Sequence, residues 1–394
     1  MRILFITPFY KPAHVYGGPS YSVPTLCEAL AKLDQCVSVF TTNANGQNNL
    51  PVPPGVMQVV TGVEVYYFQR DLPGYYFYSS QLSSACYRKI SGQAFDIVYV
   101  ASNWGYPFLP ACRASYRARI PYVVSPRASF KRNTWDGKFL KKSIYHRLFE
   151  RSWVQRAARV HYTTKLEARD SHWLRLGPPE VIIPNPVDLQ EFQKLPERGK
   201  FRTKFNIAAD KKVILILGRI DPDKGLDIAF QALSQIVRQF PDILLVVAGP
   251  EENNFVRVLL DLAQKLQIKD RIVFPGLLNS CQRLEALVDA DLFLSASHSE
   301  NFGMSIVEAM ACNLPVVVSD QVGIADVIAG EKAGLVVPLD PTRMANALVI
   351  LLNDPILGKQ YGLRAAQVVQ ERFASEAVTR KLLNAFDEIR GEIK

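Results

Sequence analysis

Residues 300–308 read Glu300-Asn301-Phe302-Gly303-Met304-Ser305-Ile306-Val307-Glu308, between the short apolar run 292–295 and a second apolar stretch, 305–312. A run of four, then a glycine-bearing turn, then a longer stretch with helical spacing predicts a strand whose carboxyl end feeds a helix N-terminus. Such an N-terminus has unpaired N–H groups and a positive dipole end, so it suits an anion such as a diphosphate. If helical, the stretch rises roughly 1.5 Å per residue and sets the Glu300 and Glu308 carboxylates about 10 Å apart. That is too far to share a proton but suits hydroxyl recognition at two places on an elongated ligand. The alternative is that Glu300 caps the helix and Glu308 is surface charge.

On both sides of it, the same pattern repeats. Runs at 213–217, 244–248, 272–274 and 316–319 read as further strands, with helical periodicity over 226–240 and 255–266. The segment 184–210, with Pro184, Pro186 and Pro196, is a candidate linker. Before it, β-branched or aromatic runs at 2–7, 36–41, 96–101 and 121–125 predict a second set of parallel strands joined by crossovers. The fold class is therefore α/β, with two doubly wound domains. A ligand would bind where they face each other, at the carboxyl ends of their strands. The expected boundaries are 1–192, 193–372 and a terminal helical piece, 373–394.

Composition narrows the function. The 394 residues are 48% hydrophobic and 21% charged, enough to bury a core in each half. The runs 213–217 and 243–248 end at glycines and fall far short of the roughly 18 residues of a membrane span. The N-terminus has neither a secretory apolar region nor a cleavage site, and the expectation is a cytoplasmic chain. Six scattered cysteines without a Cys-x-x-Cys pair predict neither structural zinc nor a disulfide framework. Charge is lopsided: residues 1–195 carry a balance of +11 and the rest −2, and residues 113–175 hold 16 basic against 4 acidic side chains. That patch attracts something anionic. It lacks a nucleic-acid reader motif, so a membrane surface or an anionic acceptor is expected and nucleic acid is not.

Further motifs sit at predicted strand ends. Gly218-Arg219-Ile220-Asp221-Pro222-Asp223-Lys224-Gly225 places Arg219 and Lys224 where they can neutralise a departing diphosphate. The pair Asp221 and Asp223 has the spacing of a metal-binding Asp-x-Asp, but between two cations a metal would duplicate their role. Tyr16-Gly17-Gly18-Pro19 follows the first strand and lets backbone approach a ligand, and it is not the Gly-x-Gly-x-x-Gly of a dinucleotide fold. Ser125-Pro126-Arg127-Ala128-Ser129 follows the strand at 121–125. Asn103-Trp104-Gly105 follows Tyr99 and Ala101, positions that line a pocket or simply pack.

Taken together, Glu300-x7-Glu308, Gly218-Arg219 with Lys224-Gly225, and Glu308-Ala309-Met310-Ala311-Cys312 leading to Pro315 and Gly323 resemble the retaining, nucleotide-sugar-dependent glycosyltransferases of family 4. The resemblance covers nearly all of the second half. It implies the GT-B fold, two Rossmann-like domains facing a central cleft. It also implies transfer of a hexose from a nucleoside diphosphate sugar, UDP or GDP, to a glycan or lipid-linked acceptor in polysaccharide, glycolipid or envelope biosynthesis, with no cofactor and no metal. Asn313 stands where relatives carry a helix-ending glycine, a mild change because Asn tolerates the left-handed region. Arg127 stands where many relatives have a histidine. Arg stays charged and cannot serve as a base.

By that resemblance Arg219, Lys224 and Glu300 are the catalytic set. Gly18, Gly218, Asn301, Phe302, Gly303, Met304, Ser305 and Glu308 hold the donor, and Gly17, Asn103, Trp104 and Arg127 the acceptor. Alternatives are a non-catalytic sugar or membrane binder, a nucleotide-sugar epimerase, or a sugar-phosphate synthase. Last, 138–159 has apolar residues at helical spacing (Leu140, Ile144, Leu148, Phe149, Trp153) among seven cations. It reads either as a bilayer-surface helix, placing the chain at the inner face of a membrane, or as a core-facing helix with a solvated basic face.

Overall fold

The computed structural model describes residues 1–74, 76–102, 104–251 and 254–392. By contacts the chain divides into two units, Met1–Val187 with Ser375–Lys394, and Asp188–Ala374.

The first unit contains β1 (Arg2–Ile6), β2 (Cys36–Thr42), β3 (Met57–Val60), β4 (Val63–Phe68), β5 (Ile97–Ala101), β6 (Tyr122–Ser125), β7 (Arg159–Tyr162) and β8 (Glu180–Ile182). They form one sheet in the order β8-β7-β6-β5-β1-β2-β4-β3. Every pairing is parallel except β3 with β4, which is antiparallel at the edge. Four of these strands go beyond the sequence expectation, and all four lie toward the sheet's edges. The central strand has Ile3, Leu4, Phe5 and Ile6 without exposed surface, as expected of a parallel strand covered on both faces. The terminal helix Ser375–Glu392 packs Val378, Leu382, Phe386 and Ile389 onto the β1 face with Ile3, Phe5 and Val23.

The second unit contains β9 (Lys212–Leu217), β10 (Ile243–Ala248), β11 (Ile272–Gly276), β12 (Leu292–Ser295), β13 (Val316–Ser319) and β14 (Leu335–Val337), in the order β11-β10-β9-β12-β13-β14. All pairings are parallel. The strand order runs outward in one direction from β9 and in the other from β12, so the crevice for a ligand opens at the carboxyl ends of those two strands. The helix after β9, Leu226–Ile236, is shorter than the periodicity suggested and buries Leu226, Ala229, Phe230, Leu233 and Ile236, a stripe at i, i+3, i+4 and i+7. Within the linker region, Arg202 is nearly buried. Its guanidinium donates to the Asp289 carbonyl and pairs with Asp291 at 3.0 Å, which ties 198–204 to the entry of β12.

Residues 138–159 do not form one helix. Phe139–Tyr145 is α-helical, His146–Glu150 is a π-helical turn, Arg151–Val154 resumes the helix, and β7 begins at Arg159. Among the described residues, no helix is long and apolar enough to cross a membrane.

Candidate active site

Two loops meet at the β9–β12 crevice, and glycines set how closely. Gly225 has φ +60°, and a Cβ there would lie 1.8 Å from the Ala296 carbonyl oxygen, so only glycine allows this approach. The loops are further joined by the His298 N–H, which donates to the Asp223 carbonyl at 2.8 Å.

That junction brings Lys224 to Glu300. The Lys224 ammonium is 2.5 Å from the Glu300 Oε2, both side chains about one-fifth exposed. The lysine stem runs over the bare Cα of Gly218, where a Cβ would stand 3.5 Å from Lys224 Cε. Glu300 is itself fixed by backbone: its N–H donates to Gln321 and its carbonyl accepts from Gly323. Arg219 is more exposed and pairs with Asp221 at 3.3 Å. The Asp221 side chain accepts from the Asp223 N–H and so caps the 3-10 turn Pro222–Lys224. Burial raises the Asp221 carboxyl above the usual range, against the pull of Arg219 and Lys224. Among the described residues, no three His, Cys, Asp or Glu side chains come together as a metal site.

The helix after the second loop is Met304–Ala311. It starts from Gly303 at φ +96°, with no side-chain cap. A Cβ at Gly303 would meet Ile306 Cδ1 at 2.6 Å, so a larger residue would disturb the first turn. Met304 and Ser305 are the first residues of this helix, which follows the carboxyl end of β12, the position at which a helix N-terminus suits an anion. Phe302 is buried, its ring edge-on to Phe373 at 5.5 Å.

Glu308 lies one turn further in and is neither a cap nor loose surface charge. Arg283 donates to it at 2.8 Å with one guanidinium nitrogen and to Glu191 at 2.9 Å with the other. Burial pushes the Glu308 carboxyl up to about 7, while Arg283 pulls it down. Glu300 and Glu308 therefore have separate cationic partners. Arg283, Glu191 and His298 escaped the sequence reading: they follow no spacing rule and are recognised only by what they touch. Asn313, at φ +57°, ends the helix as expected of Asn.

In the first unit, Gly17 has φ +73° and Gly18 precedes the helix Pro19–Lys32, again without a side-chain cap and with open space at both Cα atoms. Arg127 is at the end of β6. It donates to the Tyr99 hydroxyl at 3.2 Å and to the Asn185 side chain. Tyr99 in turn lies 2.6 Å from His161 Nδ1, and His161 Nε2 lies 2.7 Å from the Ile183 carbonyl. A carbonyl only accepts, so Nε2 carries the proton and Nδ1 accepts from Tyr99. Burial and Arg127 push the His161 pKa down to about 3, so the ring is neutral. Tyr99 and Ala101 are buried. Trp104 packs edge-on against Trp135 and tilted against Tyr145, its indole N–H donating to the Ser129 carbonyl. Asn103 lies outside the described residues.

With this geometry in view, the likenesses to known proteins are informative. Residues 17–186 match a family model described as a glycosyl transferase 4-like domain, and residues 197–368 one described as glycosyl transferases group 1. The D-inositol 3-phosphate glycosyltransferase of Kineococcus radiotolerans is 30% identical, the match covering 90% of this chain and 86% of that protein. The phosphatidyl-myo-inositol mannosyltransferase of Mycolicibacterium smegmatis is 32% identical over 55% of this chain and 54% of its own length. Among solved structures, a sucrose-phosphate synthase from Thermosynechococcus elongatus superposes with a TM-score of 0.76 at 21% identity, covering 99% of both chains. HepE of Anabaena, crystallised with UDP and glucose, gives 0.73 at 20% identity over 98% of this chain and 100% of its own.

Proposed function

The chain belongs to the GT-B glycosyltransferases of family 4 and is a hexosyltransferase, and from that premise we propose that it moves a hexose from a nucleoside diphosphate sugar, with retention, to a phosphate-bearing acceptor in the cytoplasm. The observation that carries the reading is the meeting of the loops after β9 and β12, which puts Lys224, Arg219 and the uncapped start of Met304–Ala311 at two adjacent strand ends.

Glu308 would hold the nucleoside ribose through paired hydroxyl hydrogen bonds, and Glu300 with the backbone after it the hexose. Lys224 and Arg219 would neutralise the diphosphate as its bond to the anomeric carbon breaks, joined by the N–H groups of Met304 and Ser305. An oxocarbenium-like sugar forms, and the acceptor hydroxyl attacks from the face the diphosphate leaves, giving its proton to the leaving phosphate. No protein nucleophile is needed, and the cations do what a metal would. The acceptor is read from two supports. Residues 1–195 carry a balance of +11, and the names of the relatives specify an inositol phosphate and a phosphatidylinositol.

The test is a screen of UDP-, GDP- and ADP-sugars in EDTA, reading nucleoside diphosphate release with and without inositol phosphate or a membrane lipid extract. Release from one donor, stimulated by one acceptor and followed by an NMR assignment of the product anomer, supports the proposal. Release only with added divalent metal, or an inverted anomer, overturns it. Conversion of a donor without any acceptor would point instead to epimerisation.

A further inference from the structure

The segment Phe139–Val154 wears its amphipathicity inside out. Leu140, Ile144 and Leu148, four residues apart and hence on one face, are 73, 51 and 66% exposed, and Phe139 and Phe149 flank them, also exposed. The opposite face carries His146, Glu150 and Val154, all buried. Glu150 accepts the backbone N–H of Trp104 at 2.8 Å and faces His146 Nδ1 at 3.2 Å, so the polar side is locked inward. The helix cannot roll to hide its leucines without stripping these buried bonds.

Along the stripe itself the charges have one sign, with Asp136 exposed just ahead of it. Lys138, Lys141 and Arg147 are exposed along it, and residues 138–149 contain no acidic residue. Of the four acidic side chains in 113–175, Glu150 and Glu167 are fully buried. An apolar ridge on a convex helix, edged by cations, matches a flat anionic surface with an apolar interior.

We propose that the exposed face of Phe139–Phe149 docks on the anionic surface of a lipid bilayer, with Leu140, Ile144 and Leu148 entering the headgroup–acyl boundary and Lys138, Lys141 and Arg147 at the level of the phosphates. The docking is independent of the donor and acceptor chemistry proposed above, because its readout is lipid binding alone. Each cation contributes about five-fold to binding, and each apolar side chain about ten-fold or more.

The full chain is sedimented with vesicles of phosphatidylcholine, and with vesicles containing about one third phosphatidylglycerol. The expected result is salt-sensitive retention on the anionic vesicles only. The triple variant Leu140→Ser, Ile144→Ser, Leu148→Ser should lose about 10³-fold of that affinity with an unchanged far-UV spectrum and melting temperature, since the three side chains are exposed. The pair Lys141→Glu and Arg147→Glu should abolish the preference for anionic lipid. No retention of the wild type, equal retention on neutral vesicles, or unchanged retention of the triple variant overturns the proposal. So does a lipid-free dimer that the triple variant dissociates, which would make the ridge an interface between copies.

Discussion

Replacing Arg283 by methionine should move the pH dependence of the grip on the donor to more alkaline pH. The guanidinium lies 2.8 Å from Glu308 and opposes the burial that pushes this carboxyl up to about 7. With charge centres about 4 Å apart and an effective dielectric near 20, the attraction is roughly 4 kcal/mol. Arg283 is about one-quarter exposed and divides its charge with Glu191, so about half of that, roughly 2 kcal/mol, is the working figure. That is about 1.5 pH units, which takes the variant's Glu308 to roughly 8.5. At pH 7.5 the ionised fraction then falls from about three-quarters to about one-tenth, and a ribose-binding carboxylate weakens by about eight-fold. The assay is calorimetric titration with UDP and with GDP between about pH 7.5 and about 9, above the second ionisation of the diphosphate and below that of the bases. Binding by Arg283→Met should recover at the alkaline end. Glu308→Gln should bind weakly at every pH. A loss in Arg283→Met that is the same at all pH values would show that Arg283 does not act through the charge of Glu308, and no loss at all would remove Glu308 from the ribose site.

Three other outcomes follow from the same geometry. Lys224→Ala should lower turnover by about 10²- to 10³-fold, the usual cost of one preorganised donor to a leaving group, with an unchanged melting temperature; intact turnover would remove Lys224 from the mechanism. Gly225→Ala should cost roughly 2–5 kcal/mol of stability, because the new Cβ would sit 1.8 Å from a backbone oxygen at a left-handed φ. Gly17→Ala, left-handed but with open space, should cost only about 1 kcal/mol in the same melts. His161 titrates at about 3 folded and near 6.5 unfolded, so the unfolded chain binds the extra proton between those values. Its contribution is complete above about 6.5 and lost as pH falls toward 3, at about 1.4 kcal/mol per pH unit. Thermal melts from pH 6.5 to 4 should be less steep in pH for His161→Gln than for the wild type, and equal slopes would refute the assignment.

How much of this was legible in the sequence depended on whether the deciding contact was local. The β9 and β12 strand ends could be read because a buried parallel strand is a short unbroken apolar run and its exit loop announces itself with Gly218, Gly225 and Gly303. Edge strands give no such signal. In β7, Arg-Val-His-Tyr hides a buried histidine that only Tyr99 and Ile183, distant in sequence, make intelligible. Arg283 looks like any helical arginine until the fold sets it beside Glu308, 25 residues away. Segment 138–159 is the instructive case. Its spacing correctly placed Leu140, Ile144 and Leu148 on one face, but periodicity carries no sign: it reports a stripe, not which side the core lies on. The sign came from Glu150, whose carboxylate is worth burying only because the Trp104 N–H and His146 wait for it. A buried carboxyl group with its partners in place can outvote three leucines, and the consequence is an apolar ridge left facing outward among cations.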